Sequence, residues 1–233
     1  MPIDYAYEDI AGMIDHSLLN PPLRVDELEA GCRTAVDYAV ASVCILPYFL
    51  RRAVEQLGES SVRPTTTVGF PHGGQASAVK LSEAERALAD GAVELDAVVN
   101  ISQVTSGRWD YVKTEIRELA ELVHAASKKI KIIFENCYLD TEQKIRLCEI
   151  CGDVGVDWVK TSTGYGPGGA TLEDLRLMRL YSPAGLQVKA AGGVRDLDKL
   201  LGIRALGVTR VGSSSTTTIL DECRRRLGLG ALR

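Results

Sequence analysis

Short runs of β-branched and apolar residues recur along this chain, and stretches with helical spacing of apolar positions separate them. The short runs fall at residues 12–16, 41–46, 65–69, 93–98, 130–136, 158–160, 186–190 and 209–212. Between them, residues 25–38, 76–90, 109–127, 141–151, 172–180 and 196–206 repeat apolar positions three and four apart. Apart from the first and last connections, the spacings suit right-handed βαβ crossovers. Eight such units close into a (β/α)8 barrel, and residues 1–233 read as one α/β domain of that kind. An open doubly wound sheet is the alternative topology. Local signals support the helices: Asp26 and Glu27 open one, and Thr171 with Glu173 and Asp174 opens another. Ser82 and Glu85 have a capping pattern but fall inside the 76–90 stretch.

Two of the short runs end on a lysine followed at once by small residues. They are Val159-Lys160-Thr161-Ser162-Thr163-Gly164 and Val188-Lys189-Ala190-Ala191-Gly192-Gly193. Buried parallel strands are nearly continuous in apolar residues, so a lysine there needs a reason. A reason exists if both lie at the carboxyl ends of neighbouring barrel strands, where catalytic groups gather. Two ammonium groups held close repel, and the easiest relief is for one to lose its proton. The resulting amine can attack a carbonyl and form a Schiff base. An ordinary lysine has a pKa of ~10.4, so roughly one molecule in 2,500 is neutral at pH 7. Lowering it by about three units costs roughly 4 kcal/mol, for which burial and a cationic neighbour are the available causes.

Glu94-Leu95-Asp96-Ala97-Val98 carries carboxylates into an otherwise apolar run. Strand alternation puts Glu94, Asp96 and Val98 on one face. Asp96 pointing inward requires a cationic partner, which Lys189 or Lys160 could supply. Glu94 reads as a charge of the helix layer or the strand end. Two turns suit an anion: Gly192-Gly193-Val194, and Gly212-Ser213-Ser214-Ser215 after the last run. Loops after the seventh and eighth strands are the usual phosphate site of such barrels. The loop from Gly164 to Ala170 is suited to substrate contact.

Composition narrows the class. With 233 residues, 45% hydrophobic and 25% charged, the chain has an ordinary globular balance. A net charge of −4 speaks against nucleic acid as the main partner. No apolar run reaches the roughly 20 residues of a membrane span. Residues 1–8 are acidic and lack the pattern of a secretion signal, so a cytoplasmic location is expected. Six scattered cysteines suit a reducing compartment. Cys148-Glu149-Ile150-Cys151 lies within a helical pattern without a second pair, which disfavours zinc or redox use. Asp15-His16 could be an acid–base pair, although a structural histidine is the favoured reading. His72 lies in a turn where it could line the barrel mouth. No metal-ligand spacing and no dinucleotide fingerprint occurs, so a covalent mechanism without cofactor or metal remains.

Taken in order, Ile14-Asp15-His16-Ser17-Leu18-Leu19-Asn20-Pro21, Gly69-Phe70-Pro71-His72-Gly73, Glu94-Leu95-Asp96, Lys160-Thr161-Ser162-Thr163-Gly164 and Lys189-Ala190-Ala191-Gly192-Gly193-Val194-Arg195 resemble the deoxyribose-phosphate aldolase family. The resemblance runs from about Ile14 to about Ser215. It implies a (β/α)8 barrel, no cofactor or metal, and reversible cleavage of 2-deoxyribose 5-phosphate to glyceraldehyde 3-phosphate and acetaldehyde. By position, Lys160 would form the Schiff base, and Lys189 and Asp96 would serve the proton transfers. Gly192, Gly193, Ser214 and Ser215 would hold the phosphate, with Gly164 and Gly212 close to the substrate. The implied partners are a small phosphorylated sugar and aldehydes, and a homodimer is the common state of such barrels.

Three features depart from the family pattern. Many members end in a tail carrying a tyrosine that assists proton exchange, whereas this chain reads Leu229-Gly230-Ala231-Leu232-Arg233. Ala97 stands where a larger residue is common, and Tyr165 follows Gly164. Two other functions stay open: a Schiff-base aldolase or transaldolase-like enzyme for another phosphorylated sugar, and a non-catalytic sugar-phosphate-binding barrel.

Overall fold

In the computed structural model, which describes residues 4–230 and 232, all eight short runs are parallel strands of one closed barrel. They are β1 (Ile14–Leu18), β2 (Ser42–Ile45), β3 (Arg63–Val68), β4 (Glu94–Val98), β5 (Lys129–Ile133), β6 (Trp158–Lys160), β7 (Gln187–Ala191) and β8 (Arg210–Ser213). Each pairs with its neighbour in chain order, and β8 returns to β1 through Ile14↔Val211 and Asp15↔Gly212. The open-sheet alternative is thereby excluded. Among the described residues ten α-helices flank the strands: α1 (Tyr7–Ala11), α2 (Val25–Asp37), α3 (Leu50–Leu57), α4 (Ser77–Ala89), α5 (Ile101–Thr105), α6 (Trp109–Ala125), α7 (Thr141–Val154), α8 (Leu172–Tyr181), α9 (Leu197–Arg204) and α10 (Thr216–Arg226). The reading of a tyrosine-free tail falls partly on residues 231 and 233, and that of an acidic N-terminus partly on residues 1–3, all outside the described residues.

The strands are buried on both faces because helices cover their outer side, and most of their outward positions are apolar. Helix α6 shows how that cover is built. It buries Val112, Ile116, Leu119, Ala120 and Val123, a stripe at helical spacing that packs on the sheet. Each large aliphatic side chain buried this way contributes about 1.5–3 kcal/mol. Where α8 begins, the Thr171 hydroxyl accepts from the Asp174 N–H at 3.0 Å, satisfying a donor that the first turn leaves free.

The differences from the sequence pattern have local causes. Strand β5 stops at Ile133 because Glu135 adopts a left-handed conformation, φ 57° and ψ 62°, which turns the chain out of the sheet. The short α3 follows a 3-10 turn at Pro47–Phe49 and offers too few turns for a periodic signal. Helix α10 opens with Thr216-Thr217-Thr218, residues with weak helix propensity, and its stability comes from packing Ile219, Leu220 and Cys223 inward.

Candidate active site

A barrel of this kind is usually filled by layers of branched aliphatic side chains. Here, four cations and three carboxylates occupy the middle. Asp15, Glu94, Asp96, Lys131, Lys160, Lys189 and Arg210 are all buried. Strand register assembles them: Asp96 lies beside Lys131, Lys160 beside Lys189, and Lys189 beside Arg210. Alternation then turns their side chains to the common interior.

Asp96 is the hub. Its Oδ2 accepts from Lys160 Nζ at 2.8 Å and from Lys189 Nζ at 2.7 Å, and its Oδ1 accepts from Lys131 Nζ at 2.8 Å. Lys189 also donates to Asp15. Asp15 accepts in addition from Arg210 at 2.5 Å and from the Ser42 hydroxyl at 2.6 Å. Beneath them, Glu94 Oε2 pairs with Lys131 at 2.5 Å and Glu94 Oε1 with Arg210 at 2.9 Å. The Trp158 ring lies 5.7 Å from the Lys131 ammonium and 5.1 Å from the Arg210 guanidinium, so its face supports both.

Placing ions here costs several kcal/mol apiece in desolvation, so the cluster is poorly explained as a stabilising device. Its internal fields are strong. Burial would push the Asp96 carboxyl up, but Lys131, Lys160 and Lys189 outweigh it and hold the group well below the usual carboxylate range. The same contest, won by Lys189, Arg210 and Lys131, lowers Asp15. Burial would pull Lys189 down, yet Asp15 and Asp96 keep it above the ordinary lysine range. Lys131 is raised in the same way, chiefly by Asp96 against burial. With all seven groups ionised the interior carries one excess positive charge, which release of a single proton would cancel.

Access decides which amine meets a ligand. A cavity of about 390 Å³ opens at the carboxyl ends of the strands, and Lys160 is the one cluster member on its wall. Gly164, Gly192, Gly193, Gly212, Ser213 and Ser214 share that wall. Gly192 and Gly193 take φ of 86° and 81°, successive left-handed residues that L side chains rarely adopt. A Cβ on Gly192 would stand 2.8 Å from the Gly169 Cα, so the two loops touch backbone to backbone. Gly212 leaves room above Lys189, whose Cε would be 3.5 Å from an added Cβ. The two turns are tied together, since Ser213 Oγ donates to Val194 O at 2.7 Å and accepts from Ser215 N at 3.0 Å. Hollows of about 470 and 500 Å³ on the outer helices, beside Trp109 and beside Asp196, are lined by no buried ionisable side chain.

The sequence-predicted residues therefore converge, with exceptions. Ser215 is not on the cavity wall, whereas Ser213 of the same anion-suited turn is, together with Ser17, Asn20 and Arg195, to which no role was assigned from the sequence. Glu94 is no charge of the helix layer; it opens β4, at a strand end, and points into the barrel with Asp96, as their two-residue separation requires. Asp15 and His16 do not form a pair. Asp15 faces inward, while His16 Nδ1 meets Thr216 Oγ1 at 2.7 Å. Burial lowers His16 to about 4, so its ring is neutral at pH 7. His72 is exposed and off the cavity wall. Cys148 and Cys151 are free thiols buried in α7, and burial pushes Cys148 up to about 12. Among the described residues, no three His, Cys, Asp or Glu side chains are grouped to hold a metal ion. No helix among them is long and apolar enough to cross a membrane.

Lys131 and Arg210 were the larger omissions. Both fall within sequence-predicted strands, where a buried charge also needs a reason, but neither is followed at once by the small residues that marked Lys160 and Lys189. A buried set of amines around one carboxylate, below a glycine-lined cavity at the carboxyl end of a (β/α)8 barrel, defines an enzyme for covalent carbonyl chemistry. The profile of the DeoC/LacD family aldolases matches residues 10–207, and the chain belongs to that family. A deoxyribose-phosphate aldolase of Rhodopirellula baltica is 60% identical over 229 residues, spanning 98% of this chain and 95% of that protein. One from Caldanaerobacter subterraneus subsp. tengcongensis is 44% identical over 223 residues, with 95% and 96% covered. The tetrameric deoxyribose phosphate aldolase structure from Aeropyrum pernix superposes with a TM-score of 0.86 at 29% identity, over 94% of this chain and 92% of that one.

Proposed function

We propose that this aldolase reversibly cleaves 2-deoxyribose 5-phosphate to glyceraldehyde 3-phosphate and acetaldehyde through a Schiff base on Lys160. The observation that carries the reading is the shared Asp96 oxygen: Lys160 and Lys189 both hold it, and Lys160 alone of the cluster reaches the cavity. The named activity of the relatives supports the choice of sugar.

The neutral Lys160 amine adds to the C1 aldehyde of the open-chain sugar, and loss of water gives an iminium. Lys189, held cationic by Asp15 and Asp96, is the acid placed to protonate the departing hydroxyl. The C3 hydroxyl then gives its proton to the Lys189–Asp96 pair while the C2–C3 bond breaks. Those electrons flow into the iminium, producing an enamine in place of a free carbanion. Glyceraldehyde 3-phosphate leaves, C2 is reprotonated, and water releases acetaldehyde and the amine. Because the lysines and carboxylates touch, they titrate as a set. The Gly192–Gly193 turn and Ser214 bind the phosphate at the cavity rim, and Gly164 borders the sugar. Six unpaired thiols support a cytoplasmic setting.

Borohydride reduction with 2-deoxyribose 5-phosphate, followed by peptide mass spectrometry, should place the adduct on Lys160. Lys160→Ala should lose both adduct and turnover, and activity near wild type would end the reading. Ser214→Asp should raise KM for the phosphorylated sugar at least about tenfold, roughly 1.4 kcal/mol, through like-charge repulsion. It should leave unphosphorylated 2-deoxyribose nearly unaffected; equal loss with both sugars would remove the phosphate site.

A further inference from the structure

The loop after Lys160 is fastened on two sides, through Thr163 and Tyr165, in a way the chemistry above does not use. Glu135, at the carboxyl end of β5, is buried and accepts from the Thr163 N–H at 3.3 Å and from the Thr163 hydroxyl. Thr163 Oγ1 in turn accepts from the Tyr165 N–H at 3.0 Å. The Tyr165 hydroxyl reaches across the barrel mouth to donate to Leu19 O at 2.5 Å. Its ring meets the Phe70 ring edge to face, with centroids 5.4 Å apart. Tyr165 thus joins the loops after β1, β3 and β6, and it lines the same cavity as Lys160. Space on the far side of the loop is tight, since a Cβ on Gly166 would lie 2.9 Å from Cys137 Sγ and 3.2 Å from Glu135 Cδ. The loop is therefore held from below by Glu135 and across the opening by one phenol. Tyr165 is still 43% exposed, so that phenol is the part of the closure able to swing outward.

We propose that Tyr165 is a specificity-determining residue that bolts the mouth to Leu19 and limits the bulk of the acceptor aldehyde reaching the Lys160 enamine. Glu135 is its positioning residue, acting through Thr163. The inference rests on the Schiff-base reading of Lys160. A narrow, flexible acceptor such as glyceraldehyde 3-phosphate passes beside the ring, whereas a broad, rigid aryl-bearing aldehyde requires the hydroxyl to leave Leu19 and the ring to turn away.

The test is condensation of acetaldehyde with two acceptors, glyceraldehyde 3-phosphate and phenylacetaldehyde, comparing the ratio of their kcat/KM values. Tyr165→Ala should move that ratio toward phenylacetaldehyde at least tenfold. Tyr165→Phe, which keeps the ring and loses only the bolt, should move it about threefold. Glu135→Gln should shift the ratio in the same direction, chiefly by lowering KM for phenylacetaldehyde. A merely structural role for Glu135 would depress both acceptors alike. An unchanged ratio in both Tyr165 variants, with borohydride trapping at Lys160 intact, would overturn the proposal. Failure of the wild type to cleave 2-deoxyribose 5-phosphate would instead strike the choice of sugar, and the acceptor ratio would still decide the role of Tyr165. No condensation with either acceptor would overturn both.

Discussion

Lys80 and Lys189 are both fully buried lysines bonded to carboxylates, yet they lie in regions built for different ends. Lys80, on α4, donates to Glu115 on α6 at 2.8 Å and to Val98 O at 2.8 Å. Glu115 also accepts from Asn100 N at 3.1 Å and Ser77 Oγ at 3.0 Å. One cation meets one carboxylate, between helices and away from the Lys160 cavity. Burial is the main influence on Lys80 and pulls its pKa down, with Glu115 resisting. Lys189 has two carboxylates that override burial and push it up. Its cluster holds one cation more than its carboxylates balance, and a neighbouring amine opens onto the cavity. On the proposed reading, what sets the two regions apart is not burial but an unbalanced count of charged groups together with a route for substrate.

The widest separation should come from removing each lysine. Lys80→Met leaves Glu115 buried without a cation, which should cost about 3–5 kcal/mol in urea unfolding. Adding Glu115→Gln should return much of that loss while leaving an acceptor for Asn100. Lys189→Leu leaves three carboxylates facing Lys131, Lys160 and Arg210, a balanced set, so its stability cost should be smaller, about 1–3 kcal/mol. Its effect belongs in the chemistry: turnover should fall by about 10²–10⁴-fold if Lys189 is the proposed proton-transfer acid. Borohydride trapping should also shift to higher pH, because a positive neighbour of Lys160 has gone. Equal destabilisation by the two substitutions, or an unchanged trapping profile, would erase the contrast.

The contrast was only half legible in the sequence. Lysines followed at once by small residues and a glycine-rich turn stand out against the apolar runs that lead into them, whether they end the strand, as Lys160 does, or sit inside it, as Lys189 does. That exposed Lys160, Lys189 and the carboxylate strand of Asp96. Lys131 holds the same middle place in β5 that Lys189 holds in β7, but Ile132 and Ile133 follow it instead of small residues, and Arg210 opens β8; nothing local says that these strands aim them at Asp96 and Asp15. That depends on barrel closure, which sets register between residues 35 and 195 positions apart. Glu94 shows the same limit: alternation had it facing with Asp96, but its partners were invisible. Lys80 was equally hidden, since helical spacing marks it only as one polar position of an amphipathic stretch. The Tyr165–Leu19 contact joins loops 146 residues apart, and only the closed fold brings them together.

A smaller effect sharpens the comparison by asking which region makes the protein sensitive to mild acid. Asp15, Asp96 and Lys189 of the barrel cluster should be silent between pH 5 and 7. Asp15 and Asp96 are depressed, so their stabilising contribution is intact above the unfolded carboxylate value near 3.9 and fades only below it. Lys189 is raised, so its contribution is complete below about 10.4 and is lost only at higher pH. His16 behaves differently. Burial lowers it to about 4 in the folded protein, against about 6.5 unfolded, so the unfolded chain binds the extra proton first. Its contribution is full above 6.5 and shrinks as the pH falls toward 4, amounting to about 2 kcal/mol between pH 7 and 5. Urea midpoints should therefore fall over that range, and His16→Gln should flatten the slope while leaving an acceptor or donor for Thr216. A wild-type profile flat from 7 to 5 would show that the β1–α10 contact admits a charged ring, and would remove His16 from the contrast with the cluster.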